Sequence, residues 1–437
     1  MKLNNILIIW LLCLLFLNSC TTPGPAGLFG KRSPHEQYGQ KLTNAGLKET
    51  ALGSSWFTAA EQSLNNPLTI TIPHKETGYF PAEKAIASAI RFEVKRGEKL
   101  TVSLKKIPAK KFTIYVDLWE VKNNNNKKLV AYADTDGNAF NQEIDDSGFY
   151  IIRLQPELLG SGEYTLTINT GPSLAFPIKN GKIGSFWGAD RDGGARKHEG
   201  VDIFAPKRTP VLAAANGTIS RVTINQLGGK VIFMRPAGKY YSLYYAHLDE
   251  QLVSAGQEVQ TGDTIGLVGN TGNAISTSPH LHFGIYTFGG AIDPLAFVNP
   301  ITKPAPEVKA SLSNLGKSMR TGSGTVSLRK GPSRESEIVA TLNSNTLLEV
   351  HSATDQSYRV LVPNGSYGYI NSTAVNPISR ALKQIRLPLE KPLFDNPDNK
   401  AAKKTQLLAG SSISVLGNYE NFYFVEAGDN SGWVERD

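Results

Sequence analysis

The chain has 437 residues, which is too long for one small core, so we expect several domains. Its composition, 40% apolar and 19% charged with 41 glycines and 24 prolines, is typical of a globular, β-rich protein with many turns. The formal net charge of +8 predicts attraction to anionic polymer or lipid. We exclude nucleic acid as a partner, because the basic residues are dispersed and no stretch resembles a nucleic-acid-binding module.

The first 19 residues have the pattern of an export signal. Lys2 precedes an apolar run from 6 to 17, which is too short to span a bilayer with margin. The run ends in "LNSC", which resembles the lipobox of bacterial lipoproteins. This resemblance implies cleavage before Cys20 and lipidation of Cys20, which would anchor the protein to a membrane. An ordinary secretory signal with an incidental cysteine is the alternative.

The same resemblance bears on location and on thiol chemistry. Thr21 stands where an aspartate would mark inner-membrane retention in Gram-negative lipoproteins. We therefore expect the cell envelope, with the outer membrane facing the periplasm favoured if the cell has one. Cys13 would leave with the signal, so the mature chain would hold no free thiol and no disulfide.

Residues 20–64 are predicted to form a flexible tether, "TTPGPAGLFGKRSP", followed by one short helix over 35–62. From 65 to 172 apolar residues alternate with polar ones, which predicts a β-sandwich. This stretch resembles the small sandwich domains that accompany secreted bacterial peptidases, so we interpret it as accessory. "DTDGN" (134–138) is interpreted as a turn, because an EF-hand loop needs its glycine at the sixth position rather than the fourth.

The stretch "TSPHLHFGIY" places two of the seven histidines, His280 and His282, on either side of one leucine. Its aromatic and branched residues favour a strand, where both rings would project from one face. Upstream, His198 and Asp202 are four residues apart, and His247 lies in "YSLYYAHL". His247 alone would be interpreted as a core histidine. Together these residues offer the nitrogen and oxygen ligands, with an open position, that a catalytic zinc needs.

"HEGVDIFAP", "YAHL", "GDTIGLVGNTG" and "SPHLHFGI" follow one another in an order that resembles the lysostaphin-type (LytM-like) zinc endopeptidases of bacterial cell walls. The resemblance covers about residues 185–300 and implies a compact antiparallel β domain over 175–300. It implies one Zn²⁺ held by His198, Asp202 and His282, with His247 and His280 as catalytic histidines. Arg208 departs from the family, which often has glycine there. Glu199 is interpreted as a solvated loop residue.

After a Pro-rich linker at 301–320, two short β segments share a layout. They span 321–378 and 384–437, and each closes on a Gly-aromatic-apolar triplet, "GYI" and "GWV". The first resembles bacterial SH3-like wall-binding domains, and the second does so more loosely. The expected fold class is therefore mostly β: an N-terminal sandwich, an antiparallel LytM-like peptidase domain and tandem small SH3-like barrels.

The resemblance implies a zinc endopeptidase that hydrolyses peptide cross-links of peptidoglycan. A non-catalytic LytM-like regulator that activates other hydrolases is the alternative, although degenerate members of that kind lack metal ligands. A sugar-phosphotransfer domain has related β architecture and paired histidines, but needs neither an acidic zinc ligand nor an export signal. The scissile bond, a glycine bridge or a D-Ala–diaminopimelate link, stays open, as do protein partners and oligomeric state.

Overall fold

The structure, a computed structural model, describes residues 32–108, 112–134 and 139–436. Cys20 and the export signal lie outside these residues, as does most of the "DTDGN" stretch. The predicted mostly β class is confirmed, with strands that pair almost throughout in antiparallel fashion. Within the described ranges, no helix is both long and apolar enough to cross a membrane.

Two helices precede the first sheet where one was expected: α1 (Pro34–Asn44) and α2 (Ala51–Asn65). Ser33 precedes α1 and forms a capping box with Glu36. The Ser33 hydroxyl accepts a hydrogen bond from the Glu36 backbone N–H, and the Glu36 carboxylate accepts one from the Ser33 backbone N–H. Gly46, at φ +71°, follows the end of α1 in the left-handed conformation that glycine tolerates. Thr50 then caps α2. The turn between these signals divides the expected helix into two.

The sandwich consists of two facing sheets that enclose a core including Phe92, Leu118 and Leu166. Its strands, in chain order, are β1 (Leu68–Thr69), β2 (His74–Phe80), β3 (Ser88–Val94), β4 (Glu98–Ile107), β5 (Ile114–Val121), β6 (Lys127–Tyr132), β7 (Phe140–Glu143), β8 (Gly148–Pro156) and β9 (Gly162–Pro172). One sheet has the order β1-β3-β8-β5-β6, and the other contains β2-β9-β4-β7. The helices pack on the first sheet through Trp56, whose indole nitrogen donates to the Pro156 carbonyl.

The central region, residues 175–300, carries all four clustered histidines. Its elements are β10 (Lys182–Ser185), β11 (Asp190–Arg191), β12 (Arg196–Lys197), β13 (Val201–Phe204), β14 (Pro210–Leu212), β15 (Gly217–Asn225), β16 (Gly229–Pro236), β17 (Ser242–Gln251), β18 (Glu258–Val259), β19 (Thr264–Val268), β20 (His280–Thr287), β21 (Gly290–Ile292) and α3 (Leu295–Val298). The main sheet has the order β10-β13-β20-β17-β16-β15-β18. Leu281, Phe283 and Ile285 alternate along β20 into the fully buried core, which turns His280 and His282 to the other face.

Two further β regions follow. The first has β22 (Ser318–Thr321), β23 (Val326–Arg329), β24 (Ile338–Leu342), β25 (Leu347–Thr354), β26 (Ser357–Leu361), β27 (Tyr367–Asn371) and β28 (Val375–Pro377). The second has β29 (Lys383–Arg386), β30 (Lys391–Phe394), β31 (Lys403–Leu407), β32 (Ser412–Tyr419), β33 (Phe422–Ala427) and β34 (Asn430–Glu435). Val308 and Ala310 pack with the core of the first region, so its packed part includes the end of the stretch interpreted as a linker.

The first C-terminal region is joined to the sandwich by a continuous sheet. Strand β25 pairs with β2, which places Ala353 opposite Thr77 and Ser352 opposite Gly78. Beneath this pairing, Arg359 and Glu76 are both buried, and the hydroxyl of Tyr164 donates to Glu76 and accepts from Arg359, at 2.8 Å each. Burial opposes ionisation of Glu76, but the charge of Arg359, together with hydrogen bonds from His74 and Tyr164, outweighs burial and holds the pKa at about 2. This buried cluster, with the β2–β25 pairing, is called the junction below.

Candidate metal centre

Three neighbouring strands bring the histidines together. Strands β13 and β20 pair so that Asp202 lies directly opposite His282 and Phe204 opposite His280. On the other side of β20, Ala246 of β17 pairs with His282. The next residue, His247, departs from strand alternation at φ +60°, and its ring centroid lies 5.9 Å from that of His282. Gly200 lets the chain pass close to His282, because a Cβ atom there would lie 2.6 Å from the His282 ring.

The three predicted ligands form a tight triangle. His198 Nε2 lies 3.0 Å from Asp202 Oδ1 and 2.9 Å from His282 Nδ1, and His282 Nδ1 lies 3.0 Å from Asp202 Oδ1. All three side chains are largely buried, with 4%, 10% and 14% of their surface exposed for His198, Asp202 and His282. In the described part of the chain, this is the one group of three such residues whose donor atoms converge closely enough for a metal ion.

The protonation pattern of His198 tests whether this triangle fits a metal. Its Nδ1 lies 2.9 Å from the Phe186 carbonyl oxygen, which can only accept, so Nδ1 carries the proton and Nε2 keeps its lone pair. That lone pair faces the Asp202 carboxylate and the Nδ1 atom of His282. These electron-rich atoms repel one another unless a proton or a cation lies between them. Zinc–ligand distances imply tetrahedral donors about 3.4 Å apart, only a few tenths of an ångström wider than the triangle. The residues therefore fit a metal such as zinc.

The electrostatics of the site favour the metal-binding forms of Asp202 and His282. Burial opposes ionisation of Asp202, but its interactions with the rings of His198 and His282 outweigh burial and hold the pKa of the carboxyl well below its usual range. Burial lowers the pKa of His282, which favours the neutral ring. An ionised carboxylate and a neutral imidazole are the forms that bind a metal ion.

The other two histidines border the triangle. His280 Nε2 lies 3.9 Å from Asp202 Oδ1, and the His247 ring centroid lies 5.0 Å from that of His280 and 5.9 Å from that of His282. Each Nδ1 donates to a backbone carbonyl at 2.8 Å, from His247 to Thr271 and from His280 to Ser278. Each Nε2 is therefore left with a lone pair, and His280 Nε2 faces the carboxylate side of the site.

His247 is held in an unusual backbone conformation. Its φ of +60° lies in the left-handed region, which costs about 1–3 kcal/mol for a residue other than glycine. Its backbone N–H donates to the Gly228 carbonyl at 2.7 Å, so the surrounding strands hold the conformation in place. Burial lowers the pKa of His247 to about 4, which leaves the ring neutral near neutral pH. Strain of this kind clusters at functional sites.

Sequence reasoning missed Arg191, whose guanidinium donates to Asp202 Oδ2 at 2.9 Å and to the Ser185 hydroxyl at 2.7 Å. A signal for it exists in "DRDGGARK". The paired glycines, Gly193 and Gly194, both have positive φ and close the β11–β12 hairpin beside Asp202. The hairpin was not predicted, because its strands have two residues each and no apolar alternation.

Neither Arg208 nor Glu199 was predicted to take part in the site, and their side chains make contacts elsewhere. Arg208 adopts φ +67°, the left-handed conformation that glycine adopts most easily, and its guanidinium pairs with Asp249 and Glu250 rather than with a site residue. Glu199 is exposed, and its carboxylate lies 3.5 Å from the Tyr286 hydroxyl.

Comparison with known proteins concerns this region. Residues 196–294 match the family model described as Peptidase family M23. An uncharacterized metalloprotease of Haemophilus influenzae is 43% identical over 110 residues, which cover 25% of this chain and 23% of that protein. The peptidoglycan DD-endopeptidase ShyC of Vibrio cholerae is 34% identical over 118 residues, which cover 27% of this chain and 25% of that protein. The family resemblance is thus confirmed for residues 196–294.

Among solved structures, the catalytic domain of the antimicrobial peptidase lysostaphin from Staphylococcus simulans is 35% identical. The match covers 27% of this chain and 92% of that one, with a TM-score of 0.25. The chain spans only about a quarter of the length of the two curated relatives, so the similarity concerns the central region and not the whole protein.

Proposed function

We propose that this protein is a zinc-dependent endopeptidase that hydrolyses peptide cross-links of peptidoglycan. The observation that carries the proposal is the convergence of His198 Nε2, Asp202 Oδ1 and His282 Nδ1 to within 3.0 Å of one another. The match of this region to an M23 family model, and its similarity to a peptidoglycan DD-endopeptidase, support the reaction class.

In this proposal His198, Asp202 and His282 hold one zinc ion. The ion supplies a Lewis acid that polarises a peptide carbonyl and lowers the pKa of water. Among the residues that the structure describes, three donors converge on this site, and a set of three would leave a position open. A closed structural site would need a fourth.

His247 and His280 manage protons and negative charge beside the reacting carbonyl. A neutral ring with a free Nε2 can accept a proton from the attacking water and return it to the leaving amine. A ring that carries the proton on Nε2 can donate a hydrogen bond to the oxyanion that develops on the carbonyl. Both rings keep Nδ1 on a backbone carbonyl, so both can change protonation at Nε2 without losing their orientation. The division of these two tasks between them stays open.

In this proposal the remaining regions hold the enzyme at the membrane and at the cell wall. Lipidation at Cys20 anchors the enzyme to a membrane of the cell envelope, and the outer membrane is favoured. The SH3-like regions, 321–378 and 384–437, bind the wall. The similarity to a DD-endopeptidase supports a D-Ala–diaminopimelate link over a glycine bridge as the scissile bond.

Digestion of purified sacculi tests the proposal. Zinc-loaded protein should release soluble muropeptides, and mass spectrometry should identify the cleaved bond in them. Chelation should abolish release, and added zinc should restore it. The His282→Ala variant is the matched control, because it should fold with the same surface and release nothing. Intact cross-links after prolonged digestion with the zinc-loaded protein would contradict the proposed function.

The regulator remains the second candidate, and one additional reaction distinguishes it. A regulator would release no muropeptides alone but would accelerate release by a separate cell-wall hydrolase. The complete set of three donor atoms, together with both flanking histidines, favours the enzyme, because an activator has no need of them.

A further inference from the structure

The two carboxylate oxygens of Asp202 have different partners, and one of these is Arg191. Oδ1 faces the rings of His198 and His282 at 3.0 Å each, whereas Oδ2 accepts from the Arg191 guanidinium at 2.9 Å. The same guanidinium nitrogen donates to the hydroxyl of Ser185 at 2.7 Å. The Arg191 side chain is 28% exposed, so it closes one side of the site and is itself partly shielded from water.

We propose that Arg191 is a positioning residue that keeps Asp202 a one-oxygen ligand of the metal; this role rests on the proposed function. A carboxylate with both oxygens free can rotate or bind a metal through both atoms. Binding through both oxygens would occupy the position that a catalytic site leaves open. With Oδ2 held by a charge-assisted hydrogen bond, only Oδ1 reaches the triangle.

The charge of Arg191 has a second consequence for the same ligand. Asp202 binds a metal as a carboxylate, His198 and His282 bind it as neutral rings, and the guanidinium stays protonated. The guanidinium offsets the negative charge of the carboxylate, so the ligand set with Arg191 carries no net charge. A metal ion held by such a set keeps more of its positive charge, which is the property that polarises a carbonyl.

The fold holds Arg191 in position from two sides. The β11–β12 hairpin places Arg191 opposite Arg196, and its turn contains the two positive-φ glycines. Ser185 ends β10, at a register shift that brings it opposite Asp202 on β13. The hydroxyl of Ser185 and the carboxylate of Asp202 thus present two adjacent acceptors to one guanidinium nitrogen. This arrangement links the hairpin to the metal-binding carboxylate.

Metal affinity tests the role without relying on activity. We would measure binding of Zn²⁺ and Co²⁺ by competition with a chelating dye, for wild type, Arg191→Met, Arg191→Lys and Lys197→Met. Arg191→Met should weaken binding about 10–100-fold, as expected for loss of a group that orients a ligand. The metal affinity of Arg191→Lys should lie between those of wild type and Arg191→Met, because an ammonium keeps the charge but not the planar donor geometry. Lys197→Met is the matched control, since Lys197 lies on the same hairpin and pairs with Asp190.

The visible absorption of bound Co²⁺ reports the coordination directly. It should weaken in Arg191→Met, because absorption falls when a second carboxylate oxygen raises the coordination number. Unchanged affinity with a wild-type spectrum would overturn the role. Tighter binding would also overturn it, since it would show that the guanidinium only repels the cation. Failure of the wild-type protein to bind either ion would instead overturn the proposed function.

Ser185→Ala is a second variant, and together with Arg191→Lys it carries the test if Arg191→Met does not fold: unchanged affinity in both would then overturn the role. Ser185→Ala removes the other acceptor of the guanidinium and should weaken metal binding a few-fold. Where Arg191→Met folds, most of this effect should disappear in a double-mutant cycle, because the hydroxyl lies 2.7 Å from the guanidinium and only 3.5 Å from His198 Nδ1. Persistence of the full Ser185→Ala effect in that background would contradict coupling through Arg191.

Discussion

Asp202 and His282 lie directly opposite each other on β13 and β20, and their facing atoms, Oδ1 and Nδ1, are 3.0 Å apart. The register of one strand pair therefore sets the distance between two proposed ligands that are 80 residues apart in the chain. His280, two residues earlier on β20, faces the same site but lies farther from the carboxylate, at 3.9 Å. This difference in distance is the reason that we propose separate roles for His282 and His280.

His282→Ala and His280→Ala should fail in different ways. His282→Ala removes a ligand, so zinc content should fall and activity should be lost with it. His280→Ala keeps all three ligands, so zinc should remain while kcat falls about 10²–10⁴-fold through loss of proton transfer or oxyanion stabilisation. Zinc content measured beside kcat separates the two. If His280→Ala loses zinc and His282→Ala retains it, His280 is the metal ligand and His282 is the catalytic residue, contrary to this assignment.

His247→Ala should lower kcat while zinc stays bound, because the ring borders the triangle without belonging to it. The double variant with His280→Ala should lose less than the product of the single losses, since both rings act on one transition state. The comparison needs kcat for all four proteins on one soluble cross-linked peptide. Full activity in His247→Ala would leave this residue a core histidine, despite its backbone conformation.

Arg359→Met should destabilise the protein by about 3–5 kcal/mol, because it leaves the buried carboxylate of Glu76 without its charged partner. The double variant Glu76→Gln/Arg359→Met should recover part of this loss, since no uncompensated charge remains. Lys309→Met is the control: its pair with Asp355 is exposed, so the change should be under about 1 kcal/mol. Chemical denaturation measures all three. A loss no larger than that of the control would show that the junction does not stabilise the fold.

His35 should make stability depend on pH in the acid range. Burial, aided by the charge of Arg153, lowers the pKa of His35 to about 3, against 6.5 for the free side chain. Between these values the unfolded chain holds a proton that the folded chain lacks, so stability falls as pH decreases, by up to about 1.4 kcal/mol per pH unit. Above about pH 7 the contribution of His35 to the free energy of unfolding no longer changes with pH.

The variant His35→Phe isolates this contribution, because it keeps an aromatic ring against Trp56, which the imidazole stacks on at 4.6 Å. The free energy of unfolding of wild type minus that of the variant should rise with pH between about 3 and 6.5 and then level off. A difference independent of pH over this range would show that His35 titrates normally in the folded protein.

Cys20→Ser should release the protein from membranes or leave its signal uncleaved, because serine has no thiol for the lipid. Incorporation of labelled palmitate into the wild type, and its absence from the variant, would support the anchor. Cys13→Ser is the control, since Cys13 lies within the segment that would be removed. Absence of label from the wild type would show that the protein is not a lipoprotein.

Local sequence determined much of the architecture and the choice of candidate residues. Alternation of apolar residues predicted the sandwich and the strand that carries His280 and His282, because side chains two residues apart share a face. Residue chemistry identified a set of candidate metal-binding residues, since few side chains offer nitrogen or carboxylate oxygen to a metal, and the family resemblance implied which three are the ligands. The division of 35–62 into two helices was also encoded locally, in Gly46 and Thr50, and could have been predicted.

Tertiary structure alone decided how these residues are used. No pattern in the sequence shows that β20 lies between β13 and β17, yet that order joins His198, Asp202, His247 and the His280/His282 pair in one site. Arg191 was missed because its contact with Asp202 depends on a two-residue hairpin rather than on periodicity. The junction was missed because Glu76 and Arg359 are far apart in the chain, and each resembles an ordinary surface charge until the strands of two regions pair. Long-range strand pairing sets such contacts, and it depends on how whole cores pack, which local residue patterns do not specify.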